Sequence, residues 1–303
     1  MKTMLVPLDG SALSETVLPV ATAVAGVDRY GVTLFSVWEV LPEELNAIGE
    51  RHGRELCQQG MKYFRSYLSN IAESLRQKGI EVTVEVRSGH PAVETMRAAV
   101  ELQVDMIAMT THGRQGVVYE RRGSVADKVL RGSAIPVLVV GPRMVEVWPP
   151  AEVKIRSILI PLDGSSESEF ALPLAMELAG QWQARVSLLR VVPPLMGSYE
   201  IGTAQGYPPE VQAKRLRAAA RYLRGIKGRY PQADIEVHLE EGLPRREVPR
   251  FSEGRRFDLV VMASRSRYGW GRWSLGGVAE EAIEGSVPVI LVPPFQHQGG
   301  GPA

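Results

Sequence analysis

The sequence predicts an α/β chain built from two tandem copies of a doubly wound, five-stranded parallel sheet. Two observations carry that prediction. The chain repeats itself: Val6-Pro7-Leu8-Asp9-Gly10-Ser11 returns as Ile160-Pro161-Leu162-Asp163-Gly164-Ser165, 154 positions on. Gly123-x-Val125-Ala126 returns as Gly276-x-Val278-Ala279 at 153, and Pro136-Val137-Leu138-Val139-Val140 as Pro288-Val289-Ile290-Leu291-Val292 at 152. So small a drift over so long a repeat marks a duplicated domain rather than a short solenoid unit. The second observation is that short apolar runs alternate with amphipathic stretches throughout both copies, the pattern of a parallel sheet with right-handed crossovers.

In the first copy, residues 4–8 form an apolar run ended by Asp-Gly-Ser, which suits a strand buried on both faces. A helix follows over 11–25 with Ser11 as N-cap, and Pro19 is expected to kink or locally unwind it. Residues 32–37 are the second strand. The long helix that follows carries Met61, Phe64, Leu68, Ile71 and Leu75 on one stripe and ends at Gly79. Val82, Val84 and Val86 alternate with polar neighbours, which predicts a third strand with one less-covered face or at a sheet edge. Pro91 opens a helix over 91–102. Residues 106–109, 123–130 and 137–140 are strand, short helix and last strand. The second copy keeps this order, with its long helix over 210–227; Pro249 predicts that its third helix is short or broken.

These elements divide the chain into domains at 1–143 and 154–295, a linker at 144–153 containing Pro149-Pro150, and a Gly-rich tail at 296–303 expected to be disordered. The chain has 303 residues, 45% apolar and 23% charged, with a net charge of +1. That balance excludes bulk attraction to nucleic acid or an acidic membrane, and no window is apolar enough for a membrane span. The single Cys57 excludes an intrachain disulfide framework. With no signal-peptide pattern at the N-terminus, the chain is expected in the cytoplasm.

In a doubly wound sheet, ligands bind beyond the carboxyl ends of the strands, where the strand order reverses. The loop after the fourth strand reads Thr110-Thr111-His112-Gly113, then nine residues, then Gly123-Ser124 opening a helix. Gly113 allows close backbone approach to an anion. A helix beginning at Gly123 and Ser124 presents free N–H groups and the positive end of its dipole. Asp9, at the end of strand 1, can accept from an adenine amino group or a ribose hydroxyl. It can equally cap the following helix through the N–H groups of Ser11 or Ala12. His112 can serve the ligand or simply bond within its own loop.

At these residues the sequence resembles the universal stress protein family. The resemblance rests on Pro-Leu-Asp-Gly-Ser, on Thr-His-Gly-Arg followed by Gly-Ser, and on the closing Pro-Val-Leu-Val-Val, and it spans both halves. It implies two Rossmann-like domains of the adenine nucleotide alpha hydrolase type, paired through their last strands as an intramolecular pseudo-dimer. It also implies an ATP-binding motif of Gly, two residues, Gly, nine residues, then Gly-Ser or Gly-Thr. The first half departs from this only at Thr110. By resemblance, Asp9 and Val37 contact adenine, and Gly113, Gly123, Ser124 and Val125 the phosphates. Pro7, Leu8, Thr110, His112 and Arg114 complete the candidate set. The second half offers Asp163, Val191, Ala263, Ser266, Gly276 and Gly277, of which Gly276 alone matches the glycine motif; this half is expected to be empty, or to bind another anion through Arg265, Arg267 and Arg272.

No Walker A loop, no dinucleotide Gly-x-Gly-x-x-Gly, no nucleophile elbow and no zinc motif is present. No catalytic residue and no protein-held metal are assigned. The reading is therefore a cytoplasmic stress-response protein that binds ATP, with Mg²⁺ as counterion. Binding orders the loop 111–122 and so alters the surface offered to an unknown protein partner, with hydrolysis slow and incidental. The alternatives are a weak nucleotide hydrolase or adenylate-transferring enzyme, and a nucleotide-free scaffold.

Overall fold

The computed structural model of the chain describes residues 2–28, 30–39, 50–111, 124–144, 153–195, 209–264 and 275–293. They fall into two compact units that divide between Lys154 and Ile155. Each unit is an α/β layer built on five parallel strands.

In the first unit the strands are β1 (Thr3–Pro7), β2 (Gly31–Trp38), β3 (Val82–Ser88), β4 (Met106–Thr110) and β5 (Val137–Val140). They lie in the order β3-β2-β1-β4-β5. β1 pairs with β2 on one side (Thr3 opposite Gly31, Pro7 opposite Phe35) and with β4 on the other (Met4 opposite Met106). The order therefore reverses at β1 and β4. The central strands are apolar and buried on both faces: Met4, Leu5, Val6, Leu34, Phe35 and Met106 are fully enclosed. β3 is the outermost strand of this order; Val82 and Val86 are buried, but Val84 is only half-buried, like Glu85 beside it.

Helix α1 (Ala12–Glu15) is a single turn, and α2 (Leu18–Asp28) restarts after Thr16 and Val17. The break falls just before Pro19, whose missing N–H costs nothing in the first turn of a new helix. Local unwinding, rather than a kink, is how the proline is accommodated. The long helix α3 (Glu50–Arg76) buries Phe64, Leu68, Ala72 and Leu75 against the sheet. It approaches closely at Gly60, where an added Cβ would overlap the Trp38 ring. Gly79 (φ +81°) turns the chain out of α3, its N–H bonding the Arg76 carbonyl. Helices α4 (Pro91–Glu101) and α5 (Ser124–Gly132) complete the unit.

The second unit repeats the plan with β6 (Ser157–Pro161), β7 (Arg185–Val192), β8 (Ile235–Glu241), β9 (Leu259–Ala263) and β10 (Val289–Val292), ordered β8-β7-β6-β9-β10. A 3-10 turn (Ser168–Phe170) stands in place of α1. It leads to α6 (Ala171–Trp182), α7 (Pro209–Gly228), α8 (Pro244–Gly254) and α9 (Gly277–Ile283).

The expectation for the third helix of this half is overturned. α8 runs unbroken through Pro249 and has the same 11 residues as its counterpart α4. Packing outweighs the lost hydrogen bond. Val248, Phe251 and Ser252 are buried, Phe251 stacks on Phe257 at 5.9 Å, and the His238 ring lies 5.1 Å from Phe251. The Ser252 hydroxyl also donates to the Pro249 carbonyl at 2.8 Å.

Candidate functional site

The exit from β1 is shaped by one last rung of the sheet ladder and then by hydrogen bonds among residues five positions apart or less. The Leu8 N–H extends the ladder by one rung, donating to the Phe35 carbonyl at 2.8 Å. The chain then turns through Gly10 at φ +81°, a left-handed conformation that suits glycine. Oδ1 of Asp9 accepts from the backbone N–H of Ser11 (2.9 Å) and from its hydroxyl (2.6 Å). The same Ser11 oxygen accepts from the Ser14 N–H at 3.1 Å, as an N-cap should. Ser14 closes the circuit: its hydroxyl donates to the Ser11 carbonyl (2.8 Å) and accepts weakly from the Asp9 N–H (3.4 Å). Asp9 thus supports the cap by bonding the N–H of Ser11, the N-cap residue itself, rather than that of Ala12.

Around this turn the sheet order assembles the other candidates. β1 lies between β2 and β4, so Pro7, Leu8 and Asp9 share one end of the sheet with Val37 and Thr110. Leu8 and Thr110 are buried and Val37 half-buried. Thr111 is fully enclosed, with its N–H on the Val140 carbonyl. α5 begins at Ser124, followed by the half-buried Val125. His112, Gly113, Arg114 and Gly123 lie outside the described residues, as do Arg121 and Arg122. From α3, the Tyr67 hydroxyl donates to Oε1 of Glu15 at 2.9 Å. Burial first, and then the Glu15 and Asp9 carboxylates, hold that hydroxyl protonated well above the ordinary tyrosine range.

The second unit copies the turn. Oδ1 of Asp163 accepts from the Ser165 N–H at 3.0 Å and from its hydroxyl, with Gly164 at φ +82°. Ser168 donates to the Ser165 carbonyl at 2.8 Å, and the Tyr222 hydroxyl donates to Glu169 at 2.9 Å. Val191 is buried and Ala263 half-buried at the end of β9. Gly276 precedes α9 in an extended conformation and Gly277 begins it, with no side-chain cap. Ser266, Arg265, Arg267 and Arg272 lie outside the described residues.

Two features escaped the sequence reading. Ser14 and Ser168 tie each turn together; their shared offset of 154 was a signal, but a serine inside a helix draws no attention. The second is a difference between the copies. Ser36 in β2 is buried and donates to the Leu8 carbonyl at 2.6 Å. At the equivalent place in β7 stands Arg190, whose Nη1 donates to the Leu162 carbonyl at 3.3 Å.

Among the described residues no three His, Cys, Asp or Glu side chains converge as a metal site, and no helix is long and apolar enough to cross a membrane.

The sequence model of the universal stress protein family matches residues 1–141 and again 154–293. Universal stress protein Rv1996 of Mycobacterium tuberculosis is 25% identical over 307 residues, covering 95% of this chain and 94% of its own. Universal stress protein MJ0531 of Methanocaldococcus jannaschii is 29% identical over 147 residues, 45% of this chain and 81% of its own. Among solved structures, a universal stress protein from Archaeoglobus fulgidus superposes with a TM-score of 0.66 at 20% identity, covering 96% of each chain. A putative universal stress protein from Pseudomonas aeruginosa superposes with a TM-score of 0.67 at 16% identity, covering 97% of this chain and 93% of that one. These two likenesses speak for the fold. The double match to one family model, over two units that repeat the same strand order, makes this chain a tandem member of the universal stress protein family.

Proposed function

We propose that the chain is an ATP-binding universal stress protein, acting in the cytoplasm as a nucleotide-dependent regulatory or interaction module in stress response. The observation that carries this is the position of Asp9. Its carboxylate stands past the carboxyl end of β1, at the strand that borders the reversal of sheet order, with Val37 and Thr110 on the neighbouring strands. That is where a doubly wound sheet receives a ligand.

The described residues fit an adenine nucleotide. Asp9 supplies an acceptor for an amino or hydroxyl group, Val37 an apolar wall, and the start of the nine-residue helix α5 supplies unpaired backbone donors for phosphate. The spacing of Gly113, Gly123 and Ser124 adds a loop suited to phosphate oxygens. Mg²⁺ would enter with the phosphates, which balance its charge while it keeps several of its waters. In this reading ATP is the regulatory ligand of the first unit. Its phosphates engage the loop 111–122, and the surface that loop presents to a protein partner changes between the free and bound states.

Released nucleotide should be quantified after denaturing the purified protein, and ATP then titrated into emptied protein. The expected result is about one ATP per chain, lost in a Gly123→Ala/Ser124→Ala variant. Absence of both released nucleotide and binding would leave the scaffold reading in its place.

A further inference from the structure

The duplicated turn makes the Ser36-to-Arg190 difference informative. Both side chains hydrogen-bond the carbonyl of the leucine that precedes the aspartate, Leu8 or Leu162. Serine fills that role in a small buried space. Arginine performs it with one N–H and carries the rest of its guanidinium onward, against the exit of β6. A Cβ added at Gly164 would lie 3.4 to 3.5 Å from Nη1, Cζ and Nη2 of Arg190. The guanidinium plane therefore rests on the turn that follows Asp163.

A second guanidinium stands near. Arg215 of α7 donates from Nη1 to the carbonyl of Pro193, the residue just past β7 (2.8 Å), and to Oε1 of Gln212 (3.0 Å). The two arginines repel each other, and burial, with Arg215 adding to it, pulls Arg190 below its ordinary value. Neither has a carboxylate partner among the described residues. Of the acids nearby, Asp163 accepts from the Ser165 N–H and hydroxyl on Oδ1, and the others are committed elsewhere. Glu169 takes the Tyr222 hydroxyl on one oxygen and Arg229 on the other (2.8 Å), and Glu241 accepts from Gln212. Tyr222 acts on Arg190 electrostatically, but its proton is held by burial and by Glu169. Other arginines of this unit, Arg185, Arg229, Arg245 and Arg250, each pair with a glutamate.

A half-buried guanidinium with no counter-charge is costly, and arginine cannot escape by losing its proton. Two of them at the carboxyl ends of parallel strands call for an anion with several oxygens, and the guanidinium fork matches such a group. We propose that the strand-end cleft of the second unit is a phosphate site, with Arg190 and Arg215 as its binding residues.

The site takes a single phosphate group, either free phosphate or the phosphate of a monoester. The two units then differ in ligand class, because arginine stands in β7 where serine stands in β2. This assignment does not depend on the first unit binding ATP.

Inorganic phosphate should be titrated calorimetrically into the full-length protein at constant ionic strength, with AMP as a second arm. The variants are Arg190→Ser and Arg215→Gln. Arg190→Ser should fold, since serine satisfies the equivalent carbonyl in the first unit. Saturable phosphate binding, weakened at least tenfold in both variants while ATP binding is unchanged, is the expected result. If AMP binds more tightly than phosphate and is equally lost in Arg190→Ser, the anion belongs to a monoester; equal affinities assign it to free phosphate. Both outcomes support the site. Wild-type protein that fails to bind either ligand, or an Arg190→Ser variant that binds both as wild type does, would overturn it.

Discussion

Asp9 and Ser11 are locked together by two hydrogen bonds to one carboxylate oxygen, 2.9 Å from the backbone N–H and 2.6 Å from the hydroxyl. These bonds give Asp9 a structural duty that can be tested separately from the ligand-binding duty proposed for it. Asp9→Asn retains an acceptor for Ser11, whereas Asp9→Ala leaves that hydroxyl and N–H without it. A hydrogen bond to a charged group contributes about 1.5 to 3 kcal/mol. Asp9→Ala should therefore lose about 2 kcal/mol in urea denaturation, and Asp9→Asn clearly less. Both should weaken ATP binding, because the amide replaces one acceptor oxygen with a donor. Unchanged ATP affinity in Asp9→Asn would remove Asp9 from the nucleotide site.

Gly10 and Gly164 adopt φ +81° and +82° in the same Asp-Gly-Ser turn. A side chain in this conformation costs about 1 to 2 kcal/mol. For Gly164 the space itself is adequate, since the nearest Arg190 atoms would sit at ordinary contact distance from a Cβ. Alanine at either position should therefore destabilise its unit by similar amounts, read as a shift in the urea midpoint. A markedly larger loss at Gly164 would mean that Arg190 cannot yield.

The strand-end turn was legible because its chemistry is local and written twice. Asp9-Gly10-Ser11 and Asp163-Gly164-Ser165 name a turn type, and the repeat offset shows that both copies keep it. The strands were legible for a related reason: runs such as Val137–Val140 are too short for a helix and wholly apolar. What sequence could not show was tertiary. Pro249 reads as a helix breaker on propensity, and the burial of Val248 and Phe251 that overrides it involves partners distant in the chain. Arg190 reads as one more charge in a largely apolar strand. Its meaning appears only when β6 and β7 are paired and its guanidinium is found on the Leu162 carbonyl. The candidates His112, Gly113, Arg114, Gly123 and Ser266 fall outside the described residues and stand on motif spacing alone.

The Tyr222 hydroxyl is pushed up to about 12, first by burial and then by its bond to Glu169. The unfolded chain releases this proton near the ordinary tyrosine value of about 10. Between those values the folded state holds a proton that the unfolded state has lost, so stability falls as pH rises. The contribution is complete below about pH 10 and is lost as the pH climbs toward the folded value. Tyr222→Phe should flatten the decline of the urea midpoint over this window, and should remove one late step from the phenolate absorbance titration. Identical slopes in wild type and variant would show that Tyr222 ionises freely.

Pro249 sits at the sixth position of α8, where an ordinary residue would donate its N–H to the Arg245 carbonyl one turn back. Proline interior to a helix costs about 3 kcal/mol relative to alanine, through the missing donor and the clash of its ring with that turn. Part of this is offset because proline also restricts the unfolded chain, a term of up to about 1 kcal/mol. Pro249→Ala should therefore stabilise the protein by about 2 to 3 kcal/mol, the balance of those two terms. The gain should appear as a higher urea midpoint with an unchanged m-value, since the surface exposed on unfolding is nearly the same. A loss of stability would show instead that the half-buried ring contributes packing beside Val248 and Phe251 worth more than the hydrogen bond it prevents.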